Sequence, residues 1–149
     1  MSTARSRSGP RGELDDSAWQ FAIQLWFGQH SADWNILICP ELLIQTSATH
    51  FRIADVAILD RAAPMSQITT HSPLAVFESL SPEDWVQRLT RKLEDYAGMG
   101  VREIWVIGLK AGTFSRFEDG QLLRRDRFQV TERGIDFPVS EIARLVEPR

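Results

Sequence analysis

Hydrophobic and polar positions change period several times along the chain, and each change predicts an element. In LDDSAWQFAIQLWFGQHSADW, Trp19, Ile23, Trp26 and Phe27 recur at helical spacing behind Asp15, Asp16 and Ser17, which predicts a helix from about 14 to 30. NILICPELLIQTS holds two short apolar runs separated by Pro40, an extended segment with a break at the proline. FRIADVAILD reads as a further strand, and residues 61–72 lose all period, as a long surface loop does. Leu74 to Leu80 reads as a buried strand. Ser81 as N-cap, Pro82 at the first helical position and Asp84 in a capping box then predict a helix from about 82 to 98, closed by GMG. VREIWVIGL is apolar throughout, as a strand covered on both faces is, and TFSRFEDGQLLRR is a hairpin around Asp119-Gly120. DFPVSEIARLV ends the pattern as a short strand and a helix. No repeat or linker divides this order, so the expectation is one α/β domain over 13–149, preceded by a disordered tail over 1–12.

Two of these strands carry an acid where an apolar residue is expected. Glu78 interrupts the run from Leu74 to Leu80, and Asp55 interrupts RIADVAIL. A buried carboxylate without a partner costs several kcal/mol or shifts its pKa until it is neutral, so each asks for a base, a metal or another acid. Consecutive strands usually pair, which sets the two carboxylates side by side. There they repel unless a cation bridges them, as in a hard-metal site of oxygen ligands. The next helix supplies a second cation. At about 100° per residue from Trp85, Tyr96 falls near 20°, Leu89 near 40° and Leu93 near 80°, while Lys92 falls near -20°, on the apolar, sheet-facing stripe.

Each residue alone has a plainer reading. Asp55 can cap a turn or accept backbone N–H groups, Glu78 can pair with an arginine such as Arg52, and Lys92 can extend its amine to water from the edge of the stripe. Taken together, Asp55, Glu78 and Lys92 are the residue types of metal-assisted phosphodiester hydrolysis, in which acids hold Mg²⁺ and a lysine orients water and offsets developing charge.

Composition narrows the field. The single cysteine, Cys39, excludes an intrachain disulfide and a cysteine-rich zinc site and suits a reducing compartment, so a cytoplasmic setting is expected. His30, His50 and His71 lack paired spacing. The tryptophans mostly fall on apolar faces, Trp34 least clearly, which favours core over a platform for bases. No apolar run is long enough to span a membrane, and no Gly-rich phosphate loop or serine nucleophile elbow is present. A formal net charge of -3 argues against bulk electrostatic binding of nucleic acid, so any such contact is local. Basic residues are 15 Arg and only two Lys, Lys92 and Lys110, which makes each lysine conspicuous.

FRIADVAIL, ESLSPEDW and KLEDYAGMGVREIWVIG, in that order and spacing, resemble the Uma-type family within the PD-(D/E)XK, restriction-endonuclease-like superfamily. The resemblance runs from about Trp19 to Leu145. It implies a restriction-endonuclease-like α/β core: a central mixed β-sheet flanked by helices in α-β-β-β-α-β order, followed by a β-hairpin and a short helix. It also implies an endonuclease acting on DNA with Mg²⁺ or Mn²⁺, working as a homodimer. By position, Asp55 and Glu78 match the motif acids and metal ligands, Ser79 offers a backbone carbonyl to the metal, and Lys92 matches a lysine supplied from the following helix. Leu80 takes the usual lysine position, Ala54 stands where the family usually has proline, and Gly108 where relatives commonly have aspartate. The alternative is a relative whose catalysis has lapsed, serving as a nucleic acid or protein interaction module.

Overall fold

Strand pairing, more than helix packing, fixes where the unusual acids lie. The computed structural model describes residues 3–64, 66–81 and 86–146, with side chains from Asp15 onward. Helix α1 (Thr3–Gln29) and the single turn α2 (Ser31–Trp34) lead into strands β1 (Ile36–Gln45) and β2 (Phe51–Asp60). Strand β3 (Ala75–Leu80), helix α3 (Val86–Gly98) and strand β4 (Glu103–Gly108) follow, then the hairpin β5 (Thr113–Glu118) and β6 (Gln121–Arg124). The chain ends in β7 (Arg127–Val130), a 3-10 turn at Thr131–Arg133, β8 (Ile135–Pro138) and α4 (Ser140–Ala143). Strands β1 to β6 form one mixed sheet in sequence order, with only β3 and β4 parallel, and β7 pairs with β8 separately.

Alternation along the central strands divides the core in two. Val56, Ile58, Phe77, Trp105 and Ile107 face Trp19, Ile23 and Phe27 of α1 and the aromatic residues of β7 and β8. Ala57, Val76, Ile104 and Val106 face Leu93 and Tyr96 of α3. Strand β4 is therefore covered on both sides, which is why its sequence shows no polar alternation. Of the tryptophans, Trp19 and Trp105 are buried, and Trp26 and Trp34 pack against the same core; Trp85 lies outside the described residues.

Turn chemistry sets the ends. Helix α3 closes with Gly100 at φ 105°, Gly100 N–H on the Ala97 carbonyl at 3.0 Å and Val101 N–H on the Tyr96 carbonyl at 3.1 Å, a Schellman cap that only glycine enters without strain. Asp119 and Gly120, at φ 49° and 79°, make the primed turn that the Asp-Gly pair predicts.

The structure departs from the sequence reading at three places. Strand β1 continues through Pro40, because β1 is the sheet's edge and the missing N–H costs no ladder bond with an inner neighbour, and the irregularity falls one residue later, at Glu41 with φ 51°, which the pairing with β2 skips. Helix α1 begins at Thr3 rather than near 14, upstream of any apolar stripe that would mark it. Strand β7 has no counterpart in the sequence reading, since its alternation of Phe128 and Val130 with polar residues is only four residues long, whereas its partner β8 is the short strand expected in DFPVSEIARLV. The expected cap of α3 at Pro82 and Asp84 lies outside the described residues.

Candidate functional site

Antiparallel pairing of β2 with β3 matches Ala57 to Val76 and Val56 to Phe77, and stops there. Asp55 and Glu78 are the next residues on each strand, where the two part. Ser79 is paired with Ile107 of β4 on its other side. Its N–H, left without a strand partner in β2, instead donates to Asp55 Oδ2 at 2.9 Å. Asp55 thus does accept a backbone N–H, as the plainer reading allows, and in doing so it is held at the fork between the strands.

Glu78 points from β3 toward α3 and is 3% exposed. Lys92 Nζ donates to its Oε1 at 2.8 Å, and Tyr96 O–H donates to its Oε2 at 2.8 Å. Lys92 and Tyr96 are four residues apart, one turn of α3, so a single helix face supplies both donors. The Schellman cap, which takes the Tyr96 carbonyl, and the burial of the tyrosine ring hold that face against the sheet. Arg52, the plainer partner for Glu78, is instead bound to Asp95 at 2.7 Å.

Asp16 of α1 is a member that the sequence does not single out from Glu13 and Asp15. Ser79 Oγ donates to Asp16 Oδ1 at 2.7 Å and lies 3.0 Å from Asp55 Oδ2. A hydroxyl has one proton, so Ser79 serves one of the two carboxylates at a time. Tyr96 is the other member that sequence reasoning misses. Its place on the Lys92 stripe is legible, but that stripe marks its ring as core and says nothing of its hydroxyl.

Electrostatics follow from this packing. Burial, and then the neighbouring Asp55, push the Glu78 carboxyl up to about 7, against the opposing pull of Lys92 and Tyr96. Burial also raises Asp55, partly countered by the two hydrogen bonds from Ser79. Tyr96 is raised as well, by burial and by Glu78, so its hydroxyl stays a donor. Two acids that resist ionising together form a site whose free energy drops when positive charge arrives.

Other histidines and arginines fall elsewhere. His50 turns back on Ser47 and Thr49 in the β1–β2 connection, and His30 stacks on Trp34 with ring centroids 4.2 Å apart. Arg125 and Arg127 are bound to Glu118 and Asp136. At Gly108 a Cβ would come within 2.5 Å of Thr113 Oγ1, so the threonine of the paired strand fills the space a side chain would need. Among the described residues, no helix is long and apolar enough to cross a membrane.

Comparison with known proteins bears on the family and the fold. Residues 8–140 match the Uma2 family model, described as "Putative restriction endonuclease". No curated protein matches the chain. Among solved structures it is similar to a protein of Anabaena variabilis ATCC 29413, described as "a putative nuclease belonging to DUF820", with a TM-score of 0.72 and 14% identity. The match covers 89% of this chain and 82% of that one, and it is a likeness of fold.

Proposed function

The chain belongs to the Uma2 family, and on that premise we propose that it is a metal-dependent endonuclease that hydrolyses phosphodiester bonds in DNA. The observation that carries this reading is the pairing of buried Glu78 with Lys92 at 2.8 Å beside a second carboxylate, Asp55, at the fork of β2 and β3. The donor set suits a hard cation: all oxygen, two carboxylates with raised pKa values, and no histidine or thiolate. Among the described residues no three of His, Cys, Asp and Glu are grouped to hold a metal by themselves. Mg²⁺, which is held by one or two carboxylates and keeps its waters, fits such a site better than zinc, and Mn²⁺ has the same ligand preference.

Asp55 and Glu78 would hold the ion, with the Ser79 carbonyl as the further oxygen that the family resemblance assigns. A bound divalent ion supplies Lewis acidity toward a phosphoryl oxygen and a more acidic water. Within the protein, Lys92 carries the positive charge that offsets charge developing on the phosphoryl group. Tyr96 and Lys92 hold one Glu78 oxygen each and so fix the plane of the carboxylate. Ser79 holds Asp55 by one oxygen, Oδ2, through its N–H and its hydroxyl, and Asp16 accepts from that same hydroxyl. Cutting both strands of a duplex asks for two such sites, which a homodimer provides.

A second reading has its own support. The hydrogen bonds to Glu78 and Asp55 satisfy both acids without an ion, as in a relative that keeps the fold as an interaction module. Thermal unfolding with and without Mg²⁺ separates the two. For the enzyme, Mg²⁺ at a hundred times its Kd should add about 2.7 kcal/mol of stability. Asp55→Ala should abolish that gain. A wild-type protein indifferent to Mg²⁺ and Mn²⁺ would favour the module.

A further inference from the structure

We propose that Arg88 and Lys110 are the phosphate-binding flanks of the site, gripping the nucleic acid backbone on either side of the carboxylates. This rests on the nuclease reading and adds to it the residues that hold the substrate.

Arg88 lies one helical turn before Lys92, and residues four apart on a helix have Cβ atoms about 5–6 Å from each other. It is exposed, and its guanidinium has no ion pair or hydrogen bond among the described residues. Lys110 flanks the other side. The Leu109 N–H donates to the Leu80 carbonyl at 3.0 Å, so the end of β4 is tied to the end of the strand that carries Glu78 and Ser79. Lys110 is the next residue, in a tight turn closed by Gly112 N–H on the Gly108 carbonyl at 2.8 Å. Parallel neighbours stand about 4.8 Å apart, which sets Lys110 one strand over from the site. It too is exposed and unpaired among the described residues.

Charge explains why the site needs such flanks. Asp16, Asp55 and Glu78 are held together at one end of the sheet, and Lys92 is engaged by Glu78, so the centre offers an incoming phosphate little attraction. With a net charge of -3, the protein has no general field to compensate. Most other described arginines are spent on carboxylates, as Arg116 is on Glu103 and Glu118. The two lysines of an arginine-rich chain thus both belong to this end of the sheet, one inside the site and one beside it. Arg102 is a natural control: it is exposed and unpaired among the described residues, but it lies at the start of β4, the opposite end of the strand, on a cleft shared with Glu103 and Glu132.

The test is binding of a fluorescent DNA duplex to the full chain, with chelator present to prevent cutting, over a range of salt concentrations. The variants are Arg88→Gln, Lys110→Gln, the double variant and Arg102→Gln. Each flank variant should weaken binding and flatten the plot of log affinity against log salt by about 0.9 per lost duplex contact, or about 0.7 if a single strand is held. Arg102→Gln should change neither. Flank variants with wild-type affinity and slope, or an equal loss in Arg102→Gln, would overturn the assignment, as would a wild type that binds no DNA. Divalent-ion titration of the same proteins keeps the two readings apart. Ion binding that survives while the flanks prove inert leaves the nuclease standing without this surface, and loss of both removes the nuclease as well. Tighter binding of an RNA duplex with the same variant pattern would keep the flanks and change the substrate.

Discussion

Lys92→Met should slow cleavage of plasmid DNA by about 10²- to 10³-fold while divalent-ion binding survives, an effect comparable to removing one preorganised electrostatic donor. Methionine keeps most of the stem, so the fold loses little. What disappears is the ammonium 2.8 Å from Glu78 Oε1. The Tyr96 hydroxyl still holds Oε2, and Asp55 keeps its bonds from Ser79, so the oxygen ligands remain in place. Because losing the lysine raises the Glu78 pKa further, ion affinity should be compared at alkaline pH, where the carboxylate is ionised in both proteins. Glu78→Gln, in contrast, should lose ion binding and cleavage together, since the glutamate serves the metal throughout the reaction. Full-rate cutting by Lys92→Met would show that the helix lysine is not part of the chemistry. A wild type that cuts neither DNA nor RNA with Mg²⁺ or Mn²⁺ would leave the interaction module.

Glu78 should also impress an unusual pH dependence on the stability of the metal-free protein. Its carboxyl is raised from 4.5 to about 7 on folding, by burial first and then by Asp55. Between those values the folded chain holds a proton that the unfolded chain has released. The associated stability is therefore complete below about 4.5 and is lost as pH rises through about 7. At roughly 1.4 kcal/mol per pKa unit, the loss is on the order of 3 kcal/mol. Asp55, also raised, acts in the same direction. Asp60 and Glu118 are held low, Asp60 chiefly by the Ala62 N–H and Glu118 chiefly by Arg125, so their contributions fall away only on acidification, in a lower window. Urea unfolding with chelator present should show the decline in the wild type and its near absence in Glu78→Gln. Adding Mg²⁺ near neutral pH should release protons as the acids give up their shared burden. A wild-type stability that is flat or rising between pH 5 and 7 would contradict the buried, proton-holding carboxylate.

Much of this site is legible in the sequence, because it sits on elements whose periods are strong. An acid inside an apolar strand stands out from its neighbours, and so does a lysine on the apolar stripe of a helix. Those two observations suffice to bring Lys92 toward Glu78, since a helix crossing back over the sheet must bury that stripe. The Gly100 cap and the Asp119-Gly120 turn are equally plain, each being a conformation that few residues enter. Local pattern thus determined which faces are buried, where the main turns fall and that two acids and a lysine sit on neighbouring elements of a mixed sheet.

Tertiary structure alone decided which polar atoms meet. Asp15 and Asp16 both lie within about 60° of the stripe begun by Trp19 and Ile23, so periodicity cannot choose between them. The choice falls to the rotation at which α1 docks, and the partner, Ser79, is 63 residues away. The stripe places Tyr96 on the correct face, yet whether a buried tyrosine's hydroxyl finds a carboxylate depends on the distance at which the helix docks on the sheet, which composition does not encode. The fork at Asp55 has the same origin. Alternation says that β2 and β3 pair, but the point at which they separate, freeing the Ser79 N–H for a carboxylate, is set by the twist of the whole sheet and by what packs on its two faces.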